Sequence, residues 1–175
     1  RNIDKPILKQ PFVDALLDFF ETKRKEGKDS EIIRWGLALS TPLWLSQKYE
    51  IRKAVGEFVE VSAITLGNIK ALIKVLVDDI GWTSVELLDF KFAENKLNQA
   101  IKLAKENNEY IMLAKGYRHL FGLNFRQNKI EEAEKCLNLS LSVINNLDEK
   151  IKKGEIIAEY HYAKSTLENK KGNFT

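Results

Sequence analysis

The sequence predicts an all-α fold in which helix pairs stack into an α-solenoid. Two stretches with one pattern, VDDIGWTSVELLDFKFAENKLNQAIKL and YRHLFGLNFRQNKIEEAEKCLNLSLSV, lie forty residues apart between residues 77 and 143. Apolar and small residues match at that offset, and a fixed repeat of this length is typical of solenoids, whose units stack to bury their apolar faces. Three prolines and nine glycines in 175 residues favour long, uninterrupted helices.

Composition limits the classes of protein and partner. With 44% hydrophobic residues the chain has material for a core, and 28 basic against 25 acidic residues give no case for nucleic acid. The single cysteine, Cys136, excludes an internal disulfide and favours a reducing compartment. No apolar run approaches the roughly 18 to 20 residues of a membrane span, and no signal peptide opens the chain. We therefore expect a cytoplasmic protein without a membrane partner.

The first 28 residues are predicted to be a linker followed by one extra helix. Residues 1–11 contain two prolines and little periodicity, which is typical of a linker. From Phe12 to Lys25 apolar residues recur every three or four positions, so one face is apolar, and Gly27 is expected to end this helix. Residues 29–175 are then predicted to form the repeat domain.

The repeat domain is expected to open with a helix pair over Glu31–Lys48 and Tyr49–Leu66. Asp29 and Ser30 are candidate caps of the first helix, and Pro42 is expected to kink or divide it near Ser40 and Thr41. The residues predicted to face the core are Trp35, Leu39, Leu43 and Trp44 in the first helix and Ala54, Phe58, Val61 and Ile64 in the second.

Two clear pairs follow the turn residues Gly67 and Asn68. They are expected at Ile69–Leu87 with Phe90–Glu106, capped by Asp89, and at Tyr110–Gln127 with Lys129–Asn146. Asn128 and Glu131 have the spacing of a capping box. A last helix, Lys150–Lys171, would present Ile157, Tyr160, Ala163 and Leu167 on one face, followed by a turn before Phe174. Its second helix is missing, so we expect a truncated last repeat, a piece of a larger polypeptide, and self-association through the uncovered face.

The two copies resemble the tetratricopeptide repeat. The first copy has Gly81 at the tight-packing position, with Asp89, Phe90, Ala93, Leu97 and Ala100 at later positions, and the second has Tyr117, Leu120, Ala133, Leu137 and Ser140. The likeness is good over 68–143 and partial over 31–66 and 147–174. Departures are Phe121 at the usual glycine, Leu88 and Asn128 at the turn glycine, and a period of forty instead of thirty-four.

The longer period is similar to the repeat arrays of bacterial and archaeal STAND (NB-ARC-like) signal-transduction ATPases. This resemblance implies a right-handed solenoid of antiparallel helix pairs, whose first helices line a concave groove for protein, peptide or a small ligand. It further implies that such an array senses a signal or holds the enzyme inactive. An alternative is the peptide-sensing domain of a transcriptional regulator; residues preceding Arg1 would distinguish the two.

Candidate binding residues lie on the helix faces that the resemblance directs into the groove. Lys115, Arg118, Phe125 and Arg126 fall within an arc of roughly 100 degrees at 3.6 residues per turn, and the arc forty residues earlier contains Asp78, Trp82 and Glu86. In one interpretation the basic residues bind an acidic or C-terminal carboxylate group, as arginine does in bidentate pairs, and Trp82 and Phe125 supply apolar contacts. In the other, Asp78 pairs with Arg118 and Glu86 with Arg126.

No motif in the sequence predicts catalysis. Gly27 and Lys28 lack the first glycine of a phosphate-binding loop, and no HExxH motif is present. His119 and His161 lie on different repeats, and no base stands at helical spacing from a nucleophile. We expect a non-catalytic module without catalytic residues, metal or cofactor.

Overall fold

A computed structural model of the protein describes residues 10–147 and 154–172. This part of the chain is helical throughout and contains no strand, so the predicted all-α class is confirmed. The helices are α1 (Gln10–Lys25), α2 (Asp29–Leu45), α3 (Tyr49–Thr65), α4 (Ile69–Lys74, continued by Val75–Trp82 and Thr83–Glu86), α5 (Phe90–Glu106), α6 (Tyr110–Arg126), α7 (Ile130–Asn145) and α8 (Gly154–Lys171).

One turn geometry recurs in the six turns that join helices α1 to α7. In every such turn one residue adopts a positive φ, between 57° and 67°. The residue after it donates its backbone N–H to the carbonyl five positions earlier, at 2.8 to 3.0 Å. This is the Schellman motif, which satisfies carbonyls left free at a helix end. The left-handed residues are Gly27, Gln47, Gly67, Leu88, Asn108 and Asn128.

Helix α4 differs from its neighbours in length and in winding. Helices α2, α3, α5 and α6 each have 17 residues, whereas α4 contains one more between Ile69 and Glu86. Its central stretch, Val75–Trp82, is a π-helix. Wider π-helical turns accommodate an additional residue without breaking the helix. As a result Asp78 and Asp79, adjacent in sequence, are both buried.

The helices pack against their neighbours along the chain, and the even-numbered helices also contact one another. Helix α4 touches both α2 and α6, and α6 also touches α8. Phe20 of α1 and Ile32 of α2 are fully buried in the core that continues through α3 and α4. Gly81 lets α5 approach closely, because a Cβ atom there would lie 2.7 Å from Leu97. Contacts among the even-numbered helices therefore run from α2 through α4 and α6 to α8.

The structure corrects several predictions for α2 and α3. Pro42 lies inside α2 and does not divide it, because Ser40 and Leu43 beside it are buried in the interior and hold the helix in place. Trp35 is 45% exposed, and Val61 and Ile64 are 52% and 58% exposed, so these three residues do not belong to the core. The remaining five predicted core residues are buried or partly buried. The inward face of α3 is instead formed by Arg52, Val55, Gly56, Val59, Ser62 and Ala63.

Helix caps are partly as predicted. Asp89 accepts a hydrogen bond from the N–H of Phe92, which confirms it as the cap of α5, and Gly27 ends α1 in the left-handed conformation. The capping box of Asn128 and Glu131 is wrong, because Asn128 occupies the left-handed turn position and α7 begins later, at Ile130. Asp29 and Ser30 lie inside α2, which starts after Lys28 without a side-chain cap.

The two ends of the chain match the predictions only in part. Helix α1 begins at Gln10, inside the expected linker, of which residues 1–9 lie outside the described part. Three of the four residues predicted for the apolar face of α8 are buried, and the fourth, Ile157, is partly buried. The fully buried set is Ile156, Tyr160, Ala163 and Leu167. The predicted residues 150–153 and Phe174 also lie outside the described residues. Within the described ranges, no helix combines the length and apolar character needed to cross a bilayer.

Candidate functional site

A cavity of about 550 Å³ lies between the even-numbered helices. This size is within the range of small-molecule and peptide-anchor sites. We call it the central cavity. Its walls are formed by Leu37, Ser40, Thr41 and Trp44 of α2, Arg52 of α3, Lys74, Asp78 and Trp82 of α4, Met112, Lys115, Arg118 and His119 of α6, and Glu159 of α8.

A buried network around Arg52 forms the floor between α2, α3 and α4. The Arg52 guanidinium lies 2.8 Å from Oδ1 of Asp79 through Nε and donates to Oγ of Ser40 at 3.1 Å and Oγ1 of Thr83 at 2.9 Å. Ser40 donates a hydrogen bond to the same carboxylate oxygen. Because one guanidinium reaches groups on two other helices, the network fixes the relative position of all three helices.

The π-helical stretch directs the neighbouring carboxylate, Asp78, towards α6. Nζ of Lys115 lies 3.0 Å from its Oδ1, and Nε2 of His119 lies 3.3 Å from the same oxygen. A carboxylate only accepts hydrogen bonds, so Nε2 of His119 carries the proton. Nδ1 of His119 is then an acceptor, and it is buried without a hydrogen-bond partner in the described structure. Asp78 thus connects α4 to α6, whereas Asp79 connects α4 to α2 and α3.

Burial determines the charge states of this region. It lowers the pKa of His119 to about 3, helped by the nearby Arg118 charge, so the imidazole is neutral at pH 7. Burial alone would raise the pKa of Asp78, but the hydrogen bond from His119 and the charge and hydrogen bond of Lys115 hold that pKa below its usual range. Burial raises the pKa of Asp79 to about 6, although Arg52 and Ser40 oppose the shift. Both aspartates are therefore mainly ionised at pH 7.

Two tryptophans supply the apolar side of the cavity. The Trp82 ring stacks on His119, with centroids 4.7 Å apart and planes 16° from parallel. Gly122 makes room for it, because a Cβ atom there would lie 2.7 Å from the ring. The Arg52 guanidinium lies 5.0 Å from the centroid of Trp44, and the two tryptophan rings are 6.5 Å apart. These contacts hold both rings in fixed orientations.

The outer wall is formed by an ion pair between α6 and α8. Nε of Arg118 lies 2.9 Å from Oε2 of Glu159, and their side chains are 18% and 30% exposed. The basic residues of the cavity are Arg52, Lys74, Lys115 and Arg118, and the acidic residues of the lining are Asp78 and Glu159. Asp79, which is not part of the lining, adds a third negative charge next to it. Four basic and three acidic side chains leave one positive charge in excess.

The structure brings four of the seven predicted site residues together. Asp78, Trp82, Lys115 and Arg118 line the central cavity. The predicted pair of Glu86 and Arg126 forms, at 2.6 Å, outside the cavity. The other predicted pair, Asp78 with Arg118, does not form: the π-helical turn changes the register of α4, so Asp78 meets Lys115 and His119 and Arg118 pairs with Glu159. Phe125 packs against Phe121 and is not part of the lining.

The sequence reasoning missed Ser40, Arg52, His119 and Glu159. A signal existed for Arg52, because it stands three and seven residues before the buried Val55 and Val59 and therefore shares their helix face. The Asp78–Asp79 doublet inside the apolar run VLVDDIGW was a second signal of buried polar partners. Glu159 carried no comparable signal, because its approach to α6 depends on tertiary packing.

The central cavity shows no arrangement typical of a hydrolase. Ser40 donates to Asp79 and not to His119, and the protonated nitrogen of His119 faces a carboxylate. Within residues 10–147 and 154–172, no group of three or more histidine, cysteine, aspartate and glutamate side chains is placed to hold a metal ion.

Comparison with models of protein families, with curated proteins and with solved structures finds no match for this chain.

Proposed function

We propose that this protein is a non-catalytic binding module that recognises an acidic group of a protein or peptide in its central cavity. The observation that supports this proposal most strongly is the composition of the cavity, which joins an excess of basic side chains to two fixed tryptophans. Arginine and lysine bind carboxylates through charge-assisted hydrogen bonds, while tryptophan provides apolar contact area. His119 is the histidine of the lining, and its buried Nδ1 has no hydrogen-bond partner among the described residues, so it activates no serine, threonine or cysteine there, which favours binding over catalysis.

The arrangement of the helices supports a right-handed solenoid of antiparallel pairs as the framework of this site. The regular left-handed turns and the contacts among α2, α4, α6 and α8 agree with such an array. All lining residues except Arg52 come from these four helices. In a tetratricopeptide-like solenoid the first helix of each pair lines the concave surface, so the central cavity would be part of the concave groove.

The resemblance to repeat arrays of STAND-type ATPases suggests where such a module works. We propose that it is the sensor or interaction region of a larger cytoplasmic regulatory ATPase, in which ligand binding at the cavity controls the enzyme. This role rests on analogy with the family, and binding at the cavity is the part that the chain alone can test.

A peptide-binding experiment tests the proposal. We expect a library of fluorescent peptides of about eight residues to contain ligands rich in acidic and apolar residues, measured by fluorescence polarisation with the wild-type protein. Arg118→Gln should weaken the binding of these peptides about tenfold, because it removes a charge-assisted hydrogen-bond donor from the cavity. Arg34→Gln is the matched control, since Arg34 is an exposed arginine of α2 that lies outside the lining and contacts the exposed Trp35. Equal effects of the two substitutions, or no bound peptide, would contradict the proposal.

A further inference from the structure

The ion pair between α6 and α8 places a carboxylate of the chain itself in the lining of a basic cavity. Glu159 comes from α8, the last helix of the described chain, whereas every other lining residue comes from α2, α3, α4 or α6. Its Oε2 approaches Nε of Arg118 at 2.9 Å. A carboxylate on arginine is also the contact that an acidic ligand would make.

The three carboxylates around the cavity are held to different extents. Asp79 is 3% exposed and bound by Arg52 and Ser40. Asp78 is 9% exposed and bound by Lys115 and His119. The side chain of Glu159 is 30% exposed, and its ion pair within the described residues is with Arg118 alone. Glu159 is therefore the carboxylate that a ligand can displace at least cost.

The chemistry next to this ion pair indicates the ligand class. Displacement of Glu159 would leave Arg118 available, close to the excess positive charge of the cavity. The apolar walls, formed by Leu37, Trp44, Trp82 and Met112, are suited to a hydrocarbon or aromatic body. A ligand with one carboxylate and an apolar body reproduces what Glu159 offers to Arg118 and adds contacts that Glu159 does not make.

We propose that Glu159 occupies the place on Arg118 that a ligand carboxylate takes, so that the central cavity binds a monocarboxylate in competition with α8. This inference rests on the proposed binding role of the cavity. Binding then separates Glu159 from Arg118, and α8 retains its ion pair between Lys171 and Glu134 together with its apolar contacts. Ligand binding consequently loosens α8 without removing it from the fold.

The test uses small probes of defined charge. Binding of 3-phenylpropionate and 4-methylpentanoate, of their neutral amides, and of phenyl phosphate is measured by ligand-detected NMR and calorimetry on the wild-type chain and on Glu159→Gln. We expect the carboxylates to bind, the amides not to bind, and phenyl phosphate to bind more weakly than the carboxylates. Glu159→Gln should strengthen carboxylate binding about two- to fivefold, the range expected from removal of a partly exposed ion pair.

Helix α8 gives a second, independent readout. Backbone amides of α8 should exchange faster in wild-type protein when 3-phenylpropionate is added. Glu159→Gln should show the faster exchange without ligand and little further change with it. Glu134→Gln is the matched control: it removes the ion pair between Glu134 and Lys171 of α8, which lies outside the cavity lining, and should leave carboxylate affinity unchanged. Thermal melts establish that each variant is folded.

The outcomes separate this inference from the proposed function. Peptide binding that depends on Arg118 but is unchanged in Glu159→Gln overturns the competition and leaves the binding module intact. If Glu159→Gln strengthens carboxylate binding, the competition between Glu159 and a ligand carboxylate is supported. If the same protein binds no peptide, the proposed peptide recognition is contradicted. The inference also fails if amides bind as well as carboxylates, if phenyl phosphate binds more tightly, or if none of the probes binds either protein.

Discussion

Buried charge is concentrated in a few side chains that connect α2, α3 and α4. Arg52 is 6% exposed and Asp79 is 3% exposed, and each would be costly to bury alone. Their pairing is supported by Ser40 and Thr83, whose hydroxyls each accept one hydrogen bond from the guanidinium. Stability of this region therefore depends on the whole network and not on a single pair.

Arg52→Met is expected to destabilise the protein by about 3–5 kcal/mol, because it leaves the Asp79 carboxylate buried without its positive partner. Urea unfolding followed by circular dichroism measures the loss. The double substitution Arg52→Met with Asp79→Asn should recover part of it, since the uncompensated charge is then absent. Lys53→Met is the control, because Lys53 pairs with the half-exposed Asp89 at 3.7 Å and its loss should cost at most about 1 kcal/mol. Similar losses for Arg52→Met and Lys53→Met would exclude a strongly stabilising network.

The ion pairs between α4 and α6 show how far the sequence predicts the site. The forty-residue offset correctly predicted the pair of Glu86 and Arg126. Glu86 follows the π-helical stretch of α4, and Arg126 is the last residue of α6. The offset failed for Asp78, whose contact with His119 spans 41 residues. The additional residue in α4 lies between these two contacts, so the offset changes within one helix. Recognising this from the sequence would have required the positions of both flanking turns.

At the level of the helix, the regular unit is one helix with its turn, and two such units make the forty-residue period. Left-handed turn residues are 20 positions apart except between Gly67 and Leu88, where the interval is 21. Helix existence and most boundaries were predictable from apolar periodicity. The turn residues were harder to predict, because Leu88 and Asn128 occupy positions where glycine is the expected residue. Packing of the two helices that flank each turn thus imposes a positive φ on residues that adopt it less readily than glycine does.

Leu88→Gly is expected to raise the free energy of unfolding by about 0.5–1 kcal/mol. Leu88 has a φ of 63° and is 66% exposed, so glycine relieves backbone strain and removes few contacts. The gain is reduced by the greater flexibility of glycine in the unfolded chain. The midpoint of urea denaturation measures the change.

Leu66→Gly is the matched control for this substitution. Leu66 is also exposed, at 52%, and stands next to a turn residue, but its own φ is −91°. Glycine there relieves no strain and should lower stability by about 0.5–1 kcal/mol. The strain explanation is wrong if both leucines respond in the same direction.

Over the described chain, the apolar interior consists of three clusters in sequence order, of which the middle one joins α4, α5 and α6 through residues such as Leu97 and Leu123. One cluster joins α1 to α5 through residues such as Phe20, Ile32 and Ile73 and extends to Leu113 at the start of α6. Another joins α6, α7 and α8 through Leu137, among others. Where helices contact mainly their neighbours, stability is distributed locally. Among the described residues helix α8, which carries Glu159, packs on α6 and α7, so its opening can leave the interior of α1 to α5 in place.

Leu167→Ala tests this distribution of stability. Leu167 is 2% exposed in the cluster of α6, α7 and α8, so its truncation should cost about 2–5 kcal/mol of local stability. In hydrogen exchange followed by mass spectrometry, we expect faster exchange in α8 and α7, while the buried amides of α3 and α4 stay protected. Leu139→Ala is the control, because Leu139 is 47% exposed on α7 and its truncation should change little. Equal loss of protection from α2 to α8 in the Leu167 variant would show instead that the helices unfold as one cooperative unit, and α8 could not then open separately when a ligand replaces Glu159.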